Sequence, residues 1–183
     1  MKFGVVPIQE ALGAILAHTR KLGAVSLKKG RTLSAEDLQS LAAAGIREIM
    51  VARLEAGDVD EDTAANRVAA ACLGSGLSRS AAFTGRSNLI AEGAGVLVVD
   101  RARLDRLNAI DETLTVATLA PYDAVEARQM VATIKVIPFA VAESAVAAAE
   151  AVARSGDGAI GRVAPKRRRM TALNLTRIEG MIE

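Results

Sequence analysis

The sequence predicts an α+β, sheet-rich fold: a strand–helix unit followed by a small barrel-like sheet, of the barrel-sandwich type, with helices at its margins. Three observations predict it. Apolar residues alternate with a period of about two in several short runs and recur at about 3.6 in others, so strands and helices both exist and both are short. Helix-capping residues and glycines sit between those runs, leaving little room for free loop. The 183 residues include no Trp, one Tyr and three Phe, so the core must be built from Ala, Val, Leu and Ile.

In chain order, the run FGVV ended by Pro7 reads as a strand. Pro suits the first position of a helix because its missing N–H costs nothing there, and Ile8, Ala11, Leu12 and Ile15 then fall on one helical face. The stretch LKKGRTL, residues 27–33, places a tight turn at Gly30 among Lys28, Lys29 and Arg31. A turn flanked by cations can hold an anion, but exposed lysines beside a turn glycine equally protect a sheet edge, and the second reading is favoured. Ser34 with Asp37 three residues on approximates a capping box. Leu38 and Leu41 form the helix's apolar face, Gly45 ends it, and a strand follows over 47–54.

Asp58, Asp60, Glu61 and Asp62 suggest a metal loop, but the segment continues as TAANRVAAAC, without the spaced oxygen ligands such a loop needs. Acids at a helix N-terminus are explained by the macrodipole instead. Cys72 on that helix reads as a buried, inert thiol. The cluster Gly74, Ser75 and Gly76 breaks the helix and is the first candidate linker. Boundaries near 78 and 141 divide the chain into an N-terminal strand–helix unit (1–78), a small barrel-like β domain (79–141) and a C-terminal segment (142–183).

The segment 77–95 contains Thr84, Gly85, Arg86, Ser87 and Asn88, a flexible Gly among hydroxyls, an amide and a guanidinium. Such a group can cradle a phosphate through backbone N–H groups and a bidentate Arg. It lacks the GK[ST] ending of a P-loop, and turn chemistry specific to the fold explains it as well. Val96 to Val99 form a strand, Asp100 caps a helix carrying Leu104, Leu107 and Ile110 on one face, and strands follow over 114–118 and 131–137. Lys135, between Ile134 and Val136, points outward by alternation. The adjacent Asp111 and Glu112 read as turn capping rather than an acid/base pair, and the single His18 leaves no two-histidine metal site. The catalytic residues are therefore unassigned. Residues 143–154 form an Ala-rich helix with a Val146, Ala149 and Val152 stripe, followed by a hinge at Gly156, Asp157 and Gly158. PKRRR, residues 165–169, reads as a solvated linker, and MTALNLTR, residues 170–177, as a strand.

Three runs, TGRSNLIAEGAGVLVVD, LNAIDETLTVATL and QMVATIKVIPFAV, resemble the N-terminal region of MoeA-like molybdopterin-binding proteins of molybdenum cofactor biosynthesis. KFGVVPIQEALGAILAHT and LKKGRTLSAEDLQSLAAAGIREIMVARLEAGDVDEDTAA resemble it too, so the likeness covers most of 1–141. The resemblance implies a scaffold that positions or dimerises a molybdopterin-binding domain opening near LNLTRIEG, with the chain ending about there. Molybdopterin is then a ligand of the parent protein and is not expected on this chain alone. Candidate ligand-binding residues are Thr84, Arg86, Asn88 and Lys135, and no metal site is expected. The same segments resemble lipoyl-like carriers in shape, but those place their modified Lys at a hairpin tip, whereas Lys135 lies within a strand. Arg128 stands where relatives accept Gly in the turn before QMVA.

Near-balanced charge, formally +2, and scarce aromatics argue against nucleic acid as a partner. No apolar run approaches the roughly 18 residues of a membrane helix, no signal-peptide pattern opens the chain, and the single Cys precludes an intramolecular disulfide. A cytoplasmic location is the expectation, with homo-oligomerisation open. A second functional reading is an autonomous protein-interaction module without pterin chemistry, using the Ala-rich helix and an exposed sheet edge. A third is a small enzyme with a site built from Arg86, Asn88, Asp111 and Lys135.

Overall fold

A computed structural model describes residues 1–23, 25–155 and 161–165. Its secondary structure is α+β and rich in sheet, with every strand pair antiparallel. Strand β1 (Lys2–Pro7) leads into a single 3-10 turn (Ile8–Glu10), then β2 (Ile15–Leu16), β3 (Arg20–Leu22) and β4 (Val25–Leu27). Helix α1 (Ala35–Ala43) and β5 (Glu48–Arg53) complete the first sheet, ordered β1-β5-β2, while β3 and β4 pair as a separate hairpin. The expected helix after Pro7 does not propagate. The Gly13 N–H bonds to the Leu33 carbonyl and the Leu16 N–H to the Arg31 carbonyl, so this backbone is committed to the 31–33 segment instead of to an i→i−4 ladder. Leu12, placed on the apolar face of that helix, is exposed.

Helix α1 forms for the reasons its sequence gives. The Ser34 hydroxyl accepts from the Asp37 N–H while the Asp37 carboxylate accepts from the Ser34 N–H. At its other end the Ile46 N–H reaches the Leu41 carbonyl and the Gly45 N–H the Ala42 carbonyl, with Gly45 at φ +75. That is a Schellman cap, for which the left-handed φ selects Gly. Leu41, Leu33, Leu16, Ile49 and Val51 close a first core beneath the helix.

Strand β6 (Asp58–Asp60) runs directly into helix α2 (Glu61–Cys72), and β6 pairs with β13 (Ala140–Ala142). Between them in sequence lie β7 (Leu77–Arg79), β8 (Arg86–Ala91), β9 (Gly95–Val99), helix α3 (Arg101–Asn108), β10 (Leu114–Thr118), β11 (Ala124–Val125) and β12 (Met130–Val136). Helix α4 (Glu143–Arg154) and β14 (Gly161–Pro165) follow. The sheets are β10-β12-β8-β7 and β11-β9-β14. No closed barrel forms among the described residues, so the barrel-like expectation gives way to small open sheets wrapped on one core. Val68, Leu97, Leu107, Leu114, Ile134 and Val146 lie in that core. Val59, Ala64, Ala65 and Val68 join it, the cluster beneath α1 ends at Val51, and a small third cluster of Ala17, Ala52 and Phe139 draws on both.

The expected linker at 74–76 is packed. The Ser75 carbonyl accepts from the Val163 N–H, and a side chain at Gly76 would meet the Val163 carbonyl oxygen at 2.8 Å. The Ala-rich helix was expected to bury Val146, Ala149 and Val152; it buries Val146, Ala149 and Ala153, with Val152 half-buried. Small residues let α4 approach α2 closely, and Arg67 clamps the pair by donating to Glu143 at 2.6 Å and to Glu150 at 2.8 Å. Asp100 caps α3 as expected, and the Asn108 amide then bonds both the N–H and the carbonyl of Val116, pinning the helix to β10. The hinge at 156–158, the cations Lys166 to Arg169 and the strand at 170–177 lie outside the described residues. No helix among the described residues is long and apolar enough to cross a membrane.

Candidate functional site

The sheet β10-β12-β8 has one apolar face and one polar face, and the polar face collects the residues singled out in the sequence. Register decides this. Lys135 lies directly opposite Arg86 on β8 and opposite Thr115 on β10; one step along, Thr133 lies opposite Asn88 and Ala117. Residues paired across antiparallel strands share a face, so Thr115, Lys135 and Arg86 form one row and Ala117, Thr133 and Asn88 the next. The opposite face carries Leu114, Val116, Ser87, Leu89, Ile134 and Val136, all buried.

Two features of the polar face are physically unusual. Like charges directly opposite on neighbouring strands are destabilising by a few tenths of a kcal/mol to about 1 kcal/mol, yet Arg86 and Lys135 are so placed, with no carboxylate partner among the described residues. In the neighbouring row, Asn88 Oδ1 and Thr133 Oγ1 are buried without a hydrogen-bond partner among the described residues. Buried polar atoms are ordinarily satisfied.

Thr84 reaches this region through a hairpin. Phe83 and Arg86 exchange backbone hydrogen bonds of 3.0 and 3.2 Å across Thr84 (φ 49) and Gly85 (φ 70), the two positive φ values of a type I′ turn. Gly85 is required twice over: a Cβ there would collide with the Val136 carbonyl oxygen, and its left-handed backbone disfavours any side chain. Its N–H is donated to Asp62 Oδ1 at 2.8 Å. The Thr84–Asn88 segment is therefore turn chemistry in its backbone, while the side chains of Arg86 and Asn88 point to the polar face.

At the end of that face a cleft of about 490 Å³ opens, lined by Lys29, Gly30, Glu61, Thr84, Lys135, Val136 and Ile137. Lys29 and Gly30 come from the cationic turn of the first core, the rest from the second. The Lys29 ammonium sits 5.0 Å from the centre of the Phe139 ring, which itself stacks on Phe3. Burial raises the pKa of Glu61, its neighbours Asp62 and Asp60 add to the effect, and Lys29 opposes it. Arg31, from the same turn, is occupied by Asp37 at 2.8 Å and does not reach the cleft lining.

The structure thus brings Arg86, Asn88 and Lys135 onto one face and Thr84 and Lys135 into one cleft. Asp111 does not line the cleft and accepts from the Thr113 N–H and hydroxyl as a turn cap. The acids of 58–62 have separate structural duties: Asp58 takes the Met1 ammonium at 2.7 Å, Asp60 caps α2 through Thr63, and Asp62 holds Gly85. Cys72 is buried, and that burial pushes its thiol up to about 12, far from a thiolate at neutral pH. Alternation in the sequence already puts Thr133 on the face of Lys135 and Thr115 on that of Ala117; that these two faces and that of Arg86 are one needed the strand register. Sequence reasoning assigned Glu61 to helix capping, and nothing in the local sequence places that carboxylate beside Lys29.

A family described as a domain of unknown function (DUF8806) matches residues 5–53. Those residues end with β5 and coincide with the first core. No curated protein matches the chain, and no solved structure does.

Proposed function

We propose that this chain is the N-terminal scaffold region of a cytoplasmic, MoeA-like molybdopterin-binding protein of molybdenum cofactor biosynthesis. In this reading it positions or dimerises a ligand-binding domain and performs no bond chemistry itself. The observation that carries the reading is the pairing of Arg86 with Lys135 on an exposed sheet face without a carboxylate partner among the described residues. These cations belong to TGRSNLIAEGAGVLVVD and QMVATIKVIPFAV, two of the stretches that resemble that family. Molybdopterin ends in a phosphate monoester, and a guanidinium beside an ammonium is suited to such a group.

The test is genetic. An Arg86→Ala, Lys135→Ala double variant replaces the native gene in its host, and total molybdopterin is assayed by oxidation to its fluorescent derivative. The expected result is a clear loss of cofactor with the protein still present at normal level. Unchanged cofactor in both this variant and a deletion strain overturns the reading. That outcome favours the protein-interaction module, which has its own supporting observation: β1 is the edge of its sheet and exposes Phe3 and Val5.

A further inference from the structure

We infer that the cleft between the Lys28–Gly30 turn and the Thr84–Gly85 hairpin is a phosphate-monoester site assembled from both cores. It rests on and deepens the reading above, sharing Lys135 with it, but it adds Thr84 and a contribution from the first core.

The argument begins with uncompensated charge. Lys29 and Lys135 line one cleft from different cores, and neither ammonium forms an ion pair within 4.0 Å among the described residues. Lys29 is not loose. Its ammonium lies over the face of Phe139, which orients it without neutralising it. Lys135 has Arg86 opposite it on β8 and Thr115 on β10, so one cross-strand partner adds positive charge and the other is neutral. Only Glu61 answers these cations in the cleft lining, and its carboxyl is half-buried with Asp60 and Asp62 flanking it in sequence. Thr84 adds a hydroxyl on a hairpin whose geometry Gly85 fixes.

Ligand class follows from charge and volume. Two ammonium groups against one carboxylate favour an anion, and a hydroxyl among them suits a tetrahedral oxyanion that accepts several hydrogen bonds. About 490 Å³ exceeds what a bare phosphate fills and falls within the range of small-molecule sites, which points to an ester with an organic remainder. Because the lysines come from separate cores, the bound phosphate joins those cores.

The test is titration of the full chain at constant ionic strength, followed by amide NMR, first with inorganic phosphate and then with glycerol 3-phosphate. Saturable shifts are expected at Gly30, Thr84, Gly85 and Val136. Lys29→Met and Lys135→Met, both at exposed positions, should each weaken binding by about tenfold, while Glu61→Gln should tighten it. Arg101→Met, at an exposed cation of α3, should leave it unchanged. Absence of saturable shifts, or equal loss in Arg101→Met, overturns the site. Loss in only one lysine variant overturns its assembly from both cores, and binding of inorganic phosphate without the ester overturns the ester assignment. Because none of these readouts involves molybdopterin, failure here is distinguishable from failure of the cofactor assay.

Discussion

The first core and the second are held together by different physics. The first is organised around branched aliphatics, Leu16, Leu33, Leu41, Ile49 and Val51, and adds to the long-range pairing of β1 and β2 with β5 several contacts near in sequence: a capping box, a Schellman turn and the Arg31–Asp37 pair. The second draws Val59, Leu97, Ile134, Val146 and Val163 together from across a hundred residues and fills its helix contacts with Ala64, Ala65, Ala69, Ala149 and Ala153. Local closure fixes three-residue and four-residue loops at little entropic cost, whereas distant pairing must overcome loop closure before any contact rewards it. The two should therefore respond differently to substitution.

The largest effect is expected from cavities in each core. Ile134→Ala and Leu41→Ala, both at fully buried positions, should each cost about 2–5 kcal/mol. Amide hydrogen exchange should show protection lost over 58–165 for the first and over 2–53 for the second. Equal loss across the whole chain for both would show one cooperative unit and dissolve the comparison.

Gly85→Ala comes next, at roughly 2 kcal/mol or more, because the added methyl meets the Val136 carbonyl and the backbone φ of +70 is left-handed. Denaturant unfolding measures it, and a neutral result would show that the hairpin can move away from β12. Arg67→Met, which removes the clamp between α2 and α4, should cost about 1.5–3 kcal/mol in the same assay. Cleavage by a protease near α4 should rise in parallel.

The acid response separates the cores more finely. The Arg31 guanidinium holds the Asp37 carboxyl below its ordinary value, with the Ser34 N–H and hydroxyl helping and burial opposing. A carboxylate with a depressed folded pKa contributes stability that is fully present above its unfolded value, near 4, and is lost as pH falls through the folded value. The first core should therefore lose stability through this group as pH falls below about 4. Asp37→Asn should remove that dependence and leave exchange in the second core unaltered. The smallest effect is expected at Arg128, whose φ of +67 suits Gly better. Arg128→Gly should change stability by less than about 1 kcal/mol, in the stabilising direction, by thermal unfolding.

Much of the fold was legible because its signals are local. The capping box at Ser34, the Asp100 cap, the glycine stop at Gly45 and the alternation in β10 and β12 each act within a few residues. The helix expected after Pro7 failed because its apolar spacing competed with backbone pairing to residues 31–33, which no local pattern displays. β6 and β14 escaped notice for the same reason, as each is a short strand completed by a partner far away in sequence. At the candidate site, Arg86, Asn88 and Lys135 could be singled out as residue types in suggestive places. Their shared face depends on the register of β8 against β12, including the irregularity between Met130 and Ala132.

By itself, then, the sequence determined the α+β class, both ends of α1 and the start of α3, the inert character of Cys72 and the outward direction of Lys135. Hydrophobic period, capping chemistry and composition act over one or two turns of chain, and these outcomes need nothing longer. Only the tertiary structure decided that Val59, Ala64, Ala65 and Val68 join the second core, that Gly76 is packed against Val163, and that Lys29 and Lys135 line one cleft. Those outcomes depend on register and on which distant surfaces close together. A single residue of slip in β12 would turn Lys135 toward the core and leave the cleft without one of its two cations.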